Sequence, residues 1–176
     1  MNAKLEKFDV EKHLHIADAI NIARWSEDEA ESMLPIAPED ILEHPYGVLA
    51  TGFIGPTIKT AGYIAVKELN PDGKVGQIGA FVVNPKCRGQ GLGLRLLDYA
   101  LKWHRETLPD MEQLYAYSNQ ESLPLFMAKG GVAKLREPPY KTNCVYEVDL
   151  SQAIVDLDPN QHASSAEILA SGGVIL

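Results

Sequence analysis

The feature of this sequence that most restricts its fold is an apolar run that passes through a glycine-rich turn into a long amphipathic stretch. The apolar run ends at Val83, and the turn contains Gly89, Gly91 and Gly93. From about residue 91 to residue 107, apolar side chains recur at helical spacing, which predicts a helix. Successive main-chain N–H groups in such a turn point into one concavity, where the helix dipole adds about half a positive charge. The pattern therefore predicts a cradle for a phosphate or pyrophosphate group.

A glycine-rich turn also has three other interpretations. A P-loop needs Gly-x-x-x-x-Gly-Lys followed by Ser or Thr, and the sequence contains no such string. A dinucleotide fingerprint needs Gly-x-Gly-x-x-Gly, but here the third glycine comes one residue early and Leu94 follows it. The upstream strands also read as a meander, whereas a dinucleotide-binding domain opens with a βαβ unit. A tight strand-to-helix turn without a ligand is the third alternative, and the turn alone leaves it open.

Length and composition favour one ordinary globular domain. The chain has 176 residues, of which 45% are hydrophobic and 23% charged, so one core suffices without disulfides. The formal net charge of -8 disfavours nucleic-acid binding, which relies on a basic surface. Cys87 and Cys144 form no metal-ligand pattern, which is typical of reduced thiols. The sequence lacks a signal-peptide pattern and an apolar run of about 20 residues, so we expect a cytoplasmic protein without a membrane partner.

The order of the predicted elements indicates an α/β or α+β fold with a mixed central sheet. Strands are expected at 4–8, 46–54, 62–69, 75–83, 113–118, 132–135 and 144–150, and helices at 9–24, 26–34, 91–107 and 121–129. The turn signal Asn70-Pro71-Asp72-Gly73 predicts a hairpin between the third and fourth strands. Residues 151–176 give no clear pattern.

Two motifs resemble those of the GNAT acetyltransferases. The string Arg88-Gly89-Gln90-Gly91-Leu92-Gly93 is similar to the family's Arg/Gln-x-x-Gly-x-Gly/Ala signature, and Val83-Asn84-Pro85 resembles the Val-x-Pro before it. The segment from Asn119 through Phe126 to Gly130 is similar to the second motif, Asn-x-x-Ala-x-x-Leu-Tyr-x-x-x-Gly-Phe. The resemblance implies a GNAT acyltransferase domain at 1–150 and a C-terminal extension at 151–176. It also implies a mostly antiparallel mixed sheet with helices on both faces.

The resemblance further implies acetyl-CoA as co-substrate, an amine as acetyl acceptor and no metal. A bulge would splay two parallel strands, and the pantetheine arm would pair with the main chain of Phe81, Val82 and Val83. One amide of this strand would polarise the thioester carbonyl. Main-chain amides would hold the pyrophosphate, namely those of Arg88, Gly89, Gln90, Gly91, Leu92, Gly93 and Leu94. Asn119 and Phe126 would complete the cofactor site, with a local turn or helix cap as the alternative role of Asn119.

Two positions depart from the family's pattern. The family often places a Glu as general base near the start of the strand before the cradle, and the matching position is Gln77. The family's usual acid, a Tyr, is replaced by Phe126, which has no proton to donate. A positioned acid or base is typically worth about 10²- to 10⁴-fold in rate. The candidate catalytic residues are therefore Tyr117, near the expected split between strands, and Glu68, near the end of the preceding strand. Tyr115, on the same strand as Tyr117, is a further alternative. The other role open to both tyrosines is packing, and that of Glu68 is a solvated edge charge.

Three functions remain open at this level. The first is an N-acetyltransferase in which a small amine or a protein amine attacks the thioester directly. The second is a non-catalytic acyl-CoA-binding module, which Gln77 and Phe126 favour. The third is a binder of another phosphate ligand such as ATP. The acidic residues between positions 27 and 43 suit a cationic acceptor, although carboxylates in first helical turns give the same pattern. An exposed final strand or tail would allow a homodimer.

Overall fold

The computed structural model of the chain describes residues 3–9, 46–54, 56–68, 70, 72–138 and 144–155. Within these residues the strands are β1 (Lys4–Lys7), β2 (Tyr46–Ile54), β3 (Thr57–Glu68), β4 (Val75–Val83), β5 (Gln113–Ser118), β6 (Val132–Leu135) and β7 (Tyr146–Asp149). The helices in the same ranges are α1 (Leu92–Thr107) and α2 (Leu123–Met127), and a short 3-10 turn covers Pro85–Cys87. Neither helix is long and apolar enough to cross a lipid bilayer.

The seven strands form one sheet in the order β1-β2-β3-β4-β5-β7-β6. Neighbouring strands are antiparallel except for β4 and β5, which are parallel. The predicted mixed, mostly antiparallel sheet is therefore confirmed. The helices predicted at 9–24 and 26–34 lie outside the described residues.

Several element boundaries differ from the sequence prediction, most of all the start of β3. β3 begins at Thr57 and not at residue 62, because its first four residues, of which only Ile58 is apolar, are extended and pair with the end of β2. The second helix is shorter than predicted, since it covers only Leu123–Met127. It ends where Gly130 adopts a φ of 78°, and Gly131 N–H donates to Phe126 O at 3.1 Å, which closes the last turn.

The helix α1 covers one face of the sheet, called here the first face. Its buried leucines and alanines recur at intervals of one, three and four residues, and they pack against apolar side chains of five strands. The helix contributes Leu92, Leu96, Leu97, Ala100 and Leu101, and the sheet contributes Val48, Ile64, Val66, Ile78, Ala116 and Val148. Each fully buried leucine contributes about 1.5–3 kcal/mol relative to an exposed one. A buried ion pair at 2.7 Å joins Asp98, in the middle of α1, to Lys129, two residues after α2.

The opposite face, called here the second face, carries the alternate residues of each strand. Leu49, Tyr63 and Val82 are buried on this face. Towards β7, polar residues replace them, and Tyr117 is 36% exposed. The second face therefore changes from apolar at β2 to polar at β5.

Candidate functional site

The two parallel strands of the sheet part halfway along their length. β4 and β5 pair only as far as Ile78 and Ala116. Beyond this point β4 runs on to Val83 beside β3, and β5 runs on to Ser118 beside β7. No described strand pairs with the edge of β4 from Gly79 to Val83 that faces β5. This opening is called the split below.

A β-bulge in β4 lies at the same place. The antiparallel ladder pairs Ala65 with Ala80 and Val66 with Ile78, which leaves Gly79 as the extra residue. A bulge bends its strand and increases the local twist. It therefore accounts for the point at which β4 leaves β5, and both the bulge and the splay implied by the family resemblance are present.

The turn after β4 is fixed to β3 through Asn84. Its main-chain N–H donates to Ala61 O at 2.9 Å, and its side-chain Nδ2 donates to Thr60 O at 3.3 Å. Its Oδ1 accepts a hydrogen bond from Lys86 N at 3.0 Å, which starts the 3-10 turn Pro85–Cys87. The loop that leads into α1 therefore starts from a rigid anchor on the sheet.

A row of main-chain amides follows this anchor. Arg88 N–H donates to Pro85 O at 3.3 Å, and the helical ladder begins where Arg95 N–H donates to Gly91 O at 3.2 Å. Between them, the amides from Gly89 to Leu94 have no acceptor among the described residues. Unpaired N–H groups at a helix N-terminus carry a partial positive charge and attract anions. The donors that the sequence predicts for a pyrophosphate are thus available.

Glycine is needed at the positions of this turn for two different physical reasons. Gly89 and Gly91 adopt φ values of 71° and 72°, a region that glycine enters without the steric cost of a Cβ. A Cβ added at Gly89 would meet nothing within 4 Å, so the space beside it is open. A Cβ at Gly93 would instead lie 3.2 Å from Leu125 and 3.6 Å from Phe81. Gly93 therefore lets α1 pack closely on α2 and β4.

The side chain of Arg88 reinforces the turn and adds positive charge to it. Its Nε donates to Val83 O, the last carbonyl of β4, at 3.1 Å. The exposed Lys86 contributes a second positive charge to the same turn. Within an acidic chain of net charge -8, this turn is locally basic, as an anion site requires.

Asn119 lies directly after β5 and caps the turn that leads into α2. Its Oδ1 accepts hydrogen bonds from Glu121 N at 3.1 Å, Ser122 N at 2.9 Å and Ser122 Oγ at 2.9 Å. Ser118, which is fully buried, holds the same turn through Ser122 Oγ at 2.8 Å. The structure gives Asn119 the capping role that the sequence analysis left as an alternative. Because the cap uses only the oxygen, the NH₂ group is left for another partner.

The other predicted cofactor residues take different positions around the split. Val82 points to the second face and is 3% exposed, whereas Phe81 and Val83 pack on the first face. Phe126 is 2% exposed, and its ring lies 5.7 Å from that of Phe81. Phe126 thus forms part of the wall beneath β4, and its contact with a ligand stays a prediction.

The two predicted catalytic residues lie in different parts of the sheet. Tyr117 is the first residue of β5 beyond the paired stretch, so the fold brings it to the split. The main chain of Glu68 pairs with Gly76 near the start of β4, before the split opens. Their catalytic roles stay predictions.

Three residues surround Tyr117 on the second face, and sequence reasoning missed two of them, Arg136 and Glu147. The guanidinium of Arg136 lies 3.7 Å from the centre of the Tyr117 ring, and Glu147 is the register partner of Tyr117 on β7. The Tyr115 ring lies 5.4 Å from that of Tyr117. Burial, followed by the phenol of Tyr117 and the charge of Glu147, raises the pKa of Tyr115 to about 12, although Arg136 acts in the opposite direction. Only the pairing register of β5, β7 and β6 could have revealed this group.

A cavity of about 90 Å³ lies at the opposite end of β5. It is lined by His104, Arg105, Met111, Glu112 and Ser151, among others. His104 Nδ1 is buried without a hydrogen-bond partner, and burial, assisted by the charge of Arg105, lowers the pKa of His104 to about 4. This cavity shares no residue with the split. The described residues contain no group of three or more His, Cys, Asp or Glu side chains suited to a metal ion.

Several solved structures share this fold at low sequence identity. The NatC complex bound to Gag peptide and CoA is 19% identical and superposes with a TM-score of 0.64, over 85% of this chain and 96% of that chain. Ard1 from Thermoplasma volcanium is 19% identical, with a TM-score of 0.61 over 85% of this chain and 95% of that one. The Salmonella typhimurium protein yncA, solved with acetyl-CoA, is 16% identical, with a TM-score of 0.58 over 85% and 91% of the two chains.

Sequence comparison gives a family and no individual relative. No curated protein matches the chain significantly by sequence. The model of the acetyltransferase (GNAT) family matches residues 12–130, which include the bulged strand, the glycine turn and the Asn119 cap. Together with the split sheet, this match shows that the chain belongs to the GNAT family of acetyltransferases.

Proposed function

We propose that this protein transfers the acetyl group of acetyl-CoA to an amine. One observation carries the proposal: the unpaired edge of β4 leads directly into the row of amides from Gly89 to Leu94. A ligand that uses both features needs an extended arm with amide groups and a diphosphate at the end of that arm. Coenzyme A combines the two, whereas ATP and NAD have the diphosphate but lack the amide-bearing arm.

The arm of the co-substrate would bind as an added strand. The free edge at Phe81, Val82 and Val83 offers main-chain donors and acceptors in the spacing of a β-ladder. An N–H of this edge beside the thioester would stabilise the negative charge that develops on the carbonyl oxygen. Loss of one such donor costs about 10²- to 10³-fold in rate in other enzymes.

The diphosphate would lie against the turn from Arg88 to Leu94. Its charge would meet the N-terminal end of the α1 dipole and the unpaired amides, an arrangement that favours anions. Asn119 would donate its NH₂ group to a carbonyl oxygen of the arm, since the oxygen of the same side chain is already used by the cap. Phe126 would support this site from beneath β4.

Proton transfer is the second requirement of the reaction. Aligning a neutral amine with the thioester can supply about 7–11 kcal/mol of the barrier. The thiolate is a good leaving group, because thiols have a pKa of about 8.5. We assign to Tyr117, and not to Glu68, the donation of a proton to the thiolate, since only Tyr117 lies at the split.

We also propose a domain organisation, a cellular location and an oligomeric state. The acyltransferase domain would cover residues 1–150 and residues 151–176 would form an extension, in a cytoplasmic protein. The final described strand, β7, lies between β5 and β6 and so offers no free edge for a dimer. A homodimer would instead use the edge strand β6, whose Val132 and Leu135 are 48% and 64% exposed. The acceptor would be a small amine or a protein amine, as in the neighbour that holds Gag peptide with CoA.

Thermal unfolding with CoA, ATP and NAD in parallel would test the cofactor part of the proposal. A ligand at 100 times its Kd stabilises the native state by about 2.7 kcal/mol, so CoA should raise Tm clearly and the other two should not. Equal stabilisation by ATP and CoA, or none by CoA, would overturn the assignment.

Labelled acetyl-CoA with butylamine, spermidine and a lysine peptide would test transfer itself. We expect label on at least one amine. Tight CoA binding without transfer would favour the alternative, a non-catalytic acyl-CoA-binding module. The amide at Gln77 and the hydroxyl-free ring of Phe126, buried in the core, are the observations that support this alternative.

A further inference from the structure

The reaction needs a base. At the β4 position that resembles the one where the family often carries a Glu, this chain has the amide of Gln77. A lysine-like amine has a pKa of about 10.4, so fewer than about one molecule in a thousand is neutral at pH 7. Gln77 cannot take up the proton of such an amine. Its register partner on β5 is Tyr115, which places both residues on the second face, in the paired stretch just before the split.

Two rows of side chains cross this part of the second face. The strand register gives one row as Gln77, Tyr115 and Asp149, and the other as Tyr117, Glu147 and Lys134. The second row lies at the level where β4 and β5 have separated, while the first lies beside their paired stretch. Val148, between the two carboxylates, is fully buried on the first face, which fixes Glu147 and Asp149 on the second.

The two carboxylates differ in what they already bind. Asp149 Oδ1 accepts hydrogen bonds from Ser151 N at 2.8 Å and Ser151 Oγ at 2.6 Å, so it closes the turn after β7. Glu147 pairs through Oε1 with Lys134 Nζ at 2.8 Å, and its side chain is 31% exposed. The ion pair with Lys134 engages one oxygen of Glu147 and leaves Oε2 outside that contact. Of the two, Glu147 is the carboxylate level with the split, one strand away from it beside Tyr117.

The groups around Glu147 come from two neighbouring strands and one loop. Lys134 faces it from β6, Tyr115 and Tyr117 face it from β5, and Arg136 follows β6 and covers the Tyr117 ring. The hydrogen bond to Glu147 raises the pKa of Lys134, and the negative charge of Glu147 contributes to the raised pKa of Tyr115. Glu147 is therefore electrostatically coupled to the polar group at the split.

We propose that Glu147 accepts the proton of the acceptor amine, in place of the base that Gln77 does not provide; the inference rests on the proposed acetyl transfer. The ammonium group gives one proton to the Glu147 carboxylate, directly or through a water molecule. The neutral nitrogen then forms a bond to the acetyl carbon and loses a second proton as the C–S bond breaks. The thiolate takes up one proton and the other reaches solvent, so the products are an amide, a thiol and one H⁺.

A comparison of two amines tests the role of Glu147. The substitution Glu147→Gln keeps an oxygen for Lys134 but cannot accept the proton. With the best alkyl amine of the panel, we expect kcat/KM at pH 7 to fall about 10²- to 10⁴-fold. With hydroxylamine, which is already neutral at pH 7, we expect a much smaller loss. The rate of the variant with the alkyl amine should rise about tenfold per pH unit towards the amine's pKa of about 10.4.

Asp149→Asn is the matched control, because it removes a carboxylate from the same strand and face but keeps the acceptor for Ser151. It should leave both rates and the pH profile unchanged. Equal losses with both amines and an unchanged pH profile in Glu147→Gln would overturn the inference, because they indicate a purely structural pair with Lys134. If that variant does not fold, Glu147→Asp replaces it, and unchanged kcat/KM there together with an unchanged pH profile would also count against the proposal. Wild-type protein that binds CoA but transfers acetyl to no amine would overturn the proposed function itself.

Discussion

The two sides of the split are built from different chemical groups. On the side that follows β4, the donors are main-chain amides from Gly89 to Leu94, and their positions depend on backbone conformation. On the second face, the groups at β5 and β7 are the side chains of Tyr117 and Glu147. One substitution can remove a side-chain proton acceptor without moving any main-chain amide. Gln77 is an example, since its side chain is an amide while the bulge at Gly79, two residues later, is intact.

The largest expected effect concerns the scaffold that both sides share. Asp98→Asn would leave Lys129 buried without its charged partner, and breaking such a pair typically destabilises a protein by about 3–5 kcal/mol. Urea unfolding should show this loss in the free energy of unfolding. The ratio of kcat/KM between two amines should stay constant below the unfolding transition. A changed ratio would mean that this pair also shapes the acceptor side.

Acid should destabilise the scaffold through His104, which belongs to neither side of the split. The folded-state pKa of about 4 lies below the usual 6.5, so the unfolded state binds the proton more readily as the pH falls from 6.5 through 4. This difference in pKa corresponds to about 3 kcal/mol of folding stability at neutral pH. That contribution is fully lost below pH 4. His104→Gln should flatten this part of the pH dependence of the free energy of unfolding. An equal slope in variant and wild type would contradict the assignment.

Substitution of two glycines with the same backbone conformation can distinguish backbone strain from a loss of CoA binding. Gly89 and Gly130 have φ values of 71° and 78°, and an added Cβ would clash at neither. Alanine at either position should cost about 1–2 kcal/mol of stability. Only Gly89→Ala should weaken CoA binding, by about tenfold or 1.4 kcal/mol in calorimetry. Equal CoA affinity in both variants would show that the amide row does not hold the ligand.

The smallest expected effect separates the two roles of Asn119. Asn119→Ala removes the cap and should cost about 1 kcal/mol of stability, while Asn119→Asp keeps an oxygen for the cap. Both variants lack the NH₂ donor and should weaken CoA binding by about 0.5–1.5 kcal/mol. Wild-type affinity in the Asp variant, measured by calorimetry, would leave Asn119 with the cap alone.

Much of the fold could be predicted because turn-forming residues and the alternation of apolar and polar residues are local signals in the sequence. The bounds of β2, β4, β5 and β6 agree with the prediction, since glycine, proline or asparagine flanks each apolar run. The start of β3 was missed because three of the four residues from Thr57 to Thr60 are polar, and the extended conformation of this segment comes from pairing with β2. The pairing partner, and not local propensity, decides this segment.

The two sides of the site also differ in whether local sequence signals or long-range strand pairing determine them. The amide row could be predicted, because glycines at 89 and 91 and a following helix suffice to specify it. The position of Glu147 opposite Tyr117 could not, since a slip of one residue in β7 would turn Glu147 to the first face. Long-range packing, here the burial of Val148, fixes that register.

The most direct test of the central claim is the change in amide NMR signals during titration with CoA. If main-chain groups hold the diphosphate, the largest shifts should occur at the amides of Gly89 to Leu94 and at the Asn119 side-chain NH₂. Binding of the diphosphate by these amides would be contradicted if their signals stayed in place while shifts clustered at His104, Arg105 and Ser151 around the distant cavity.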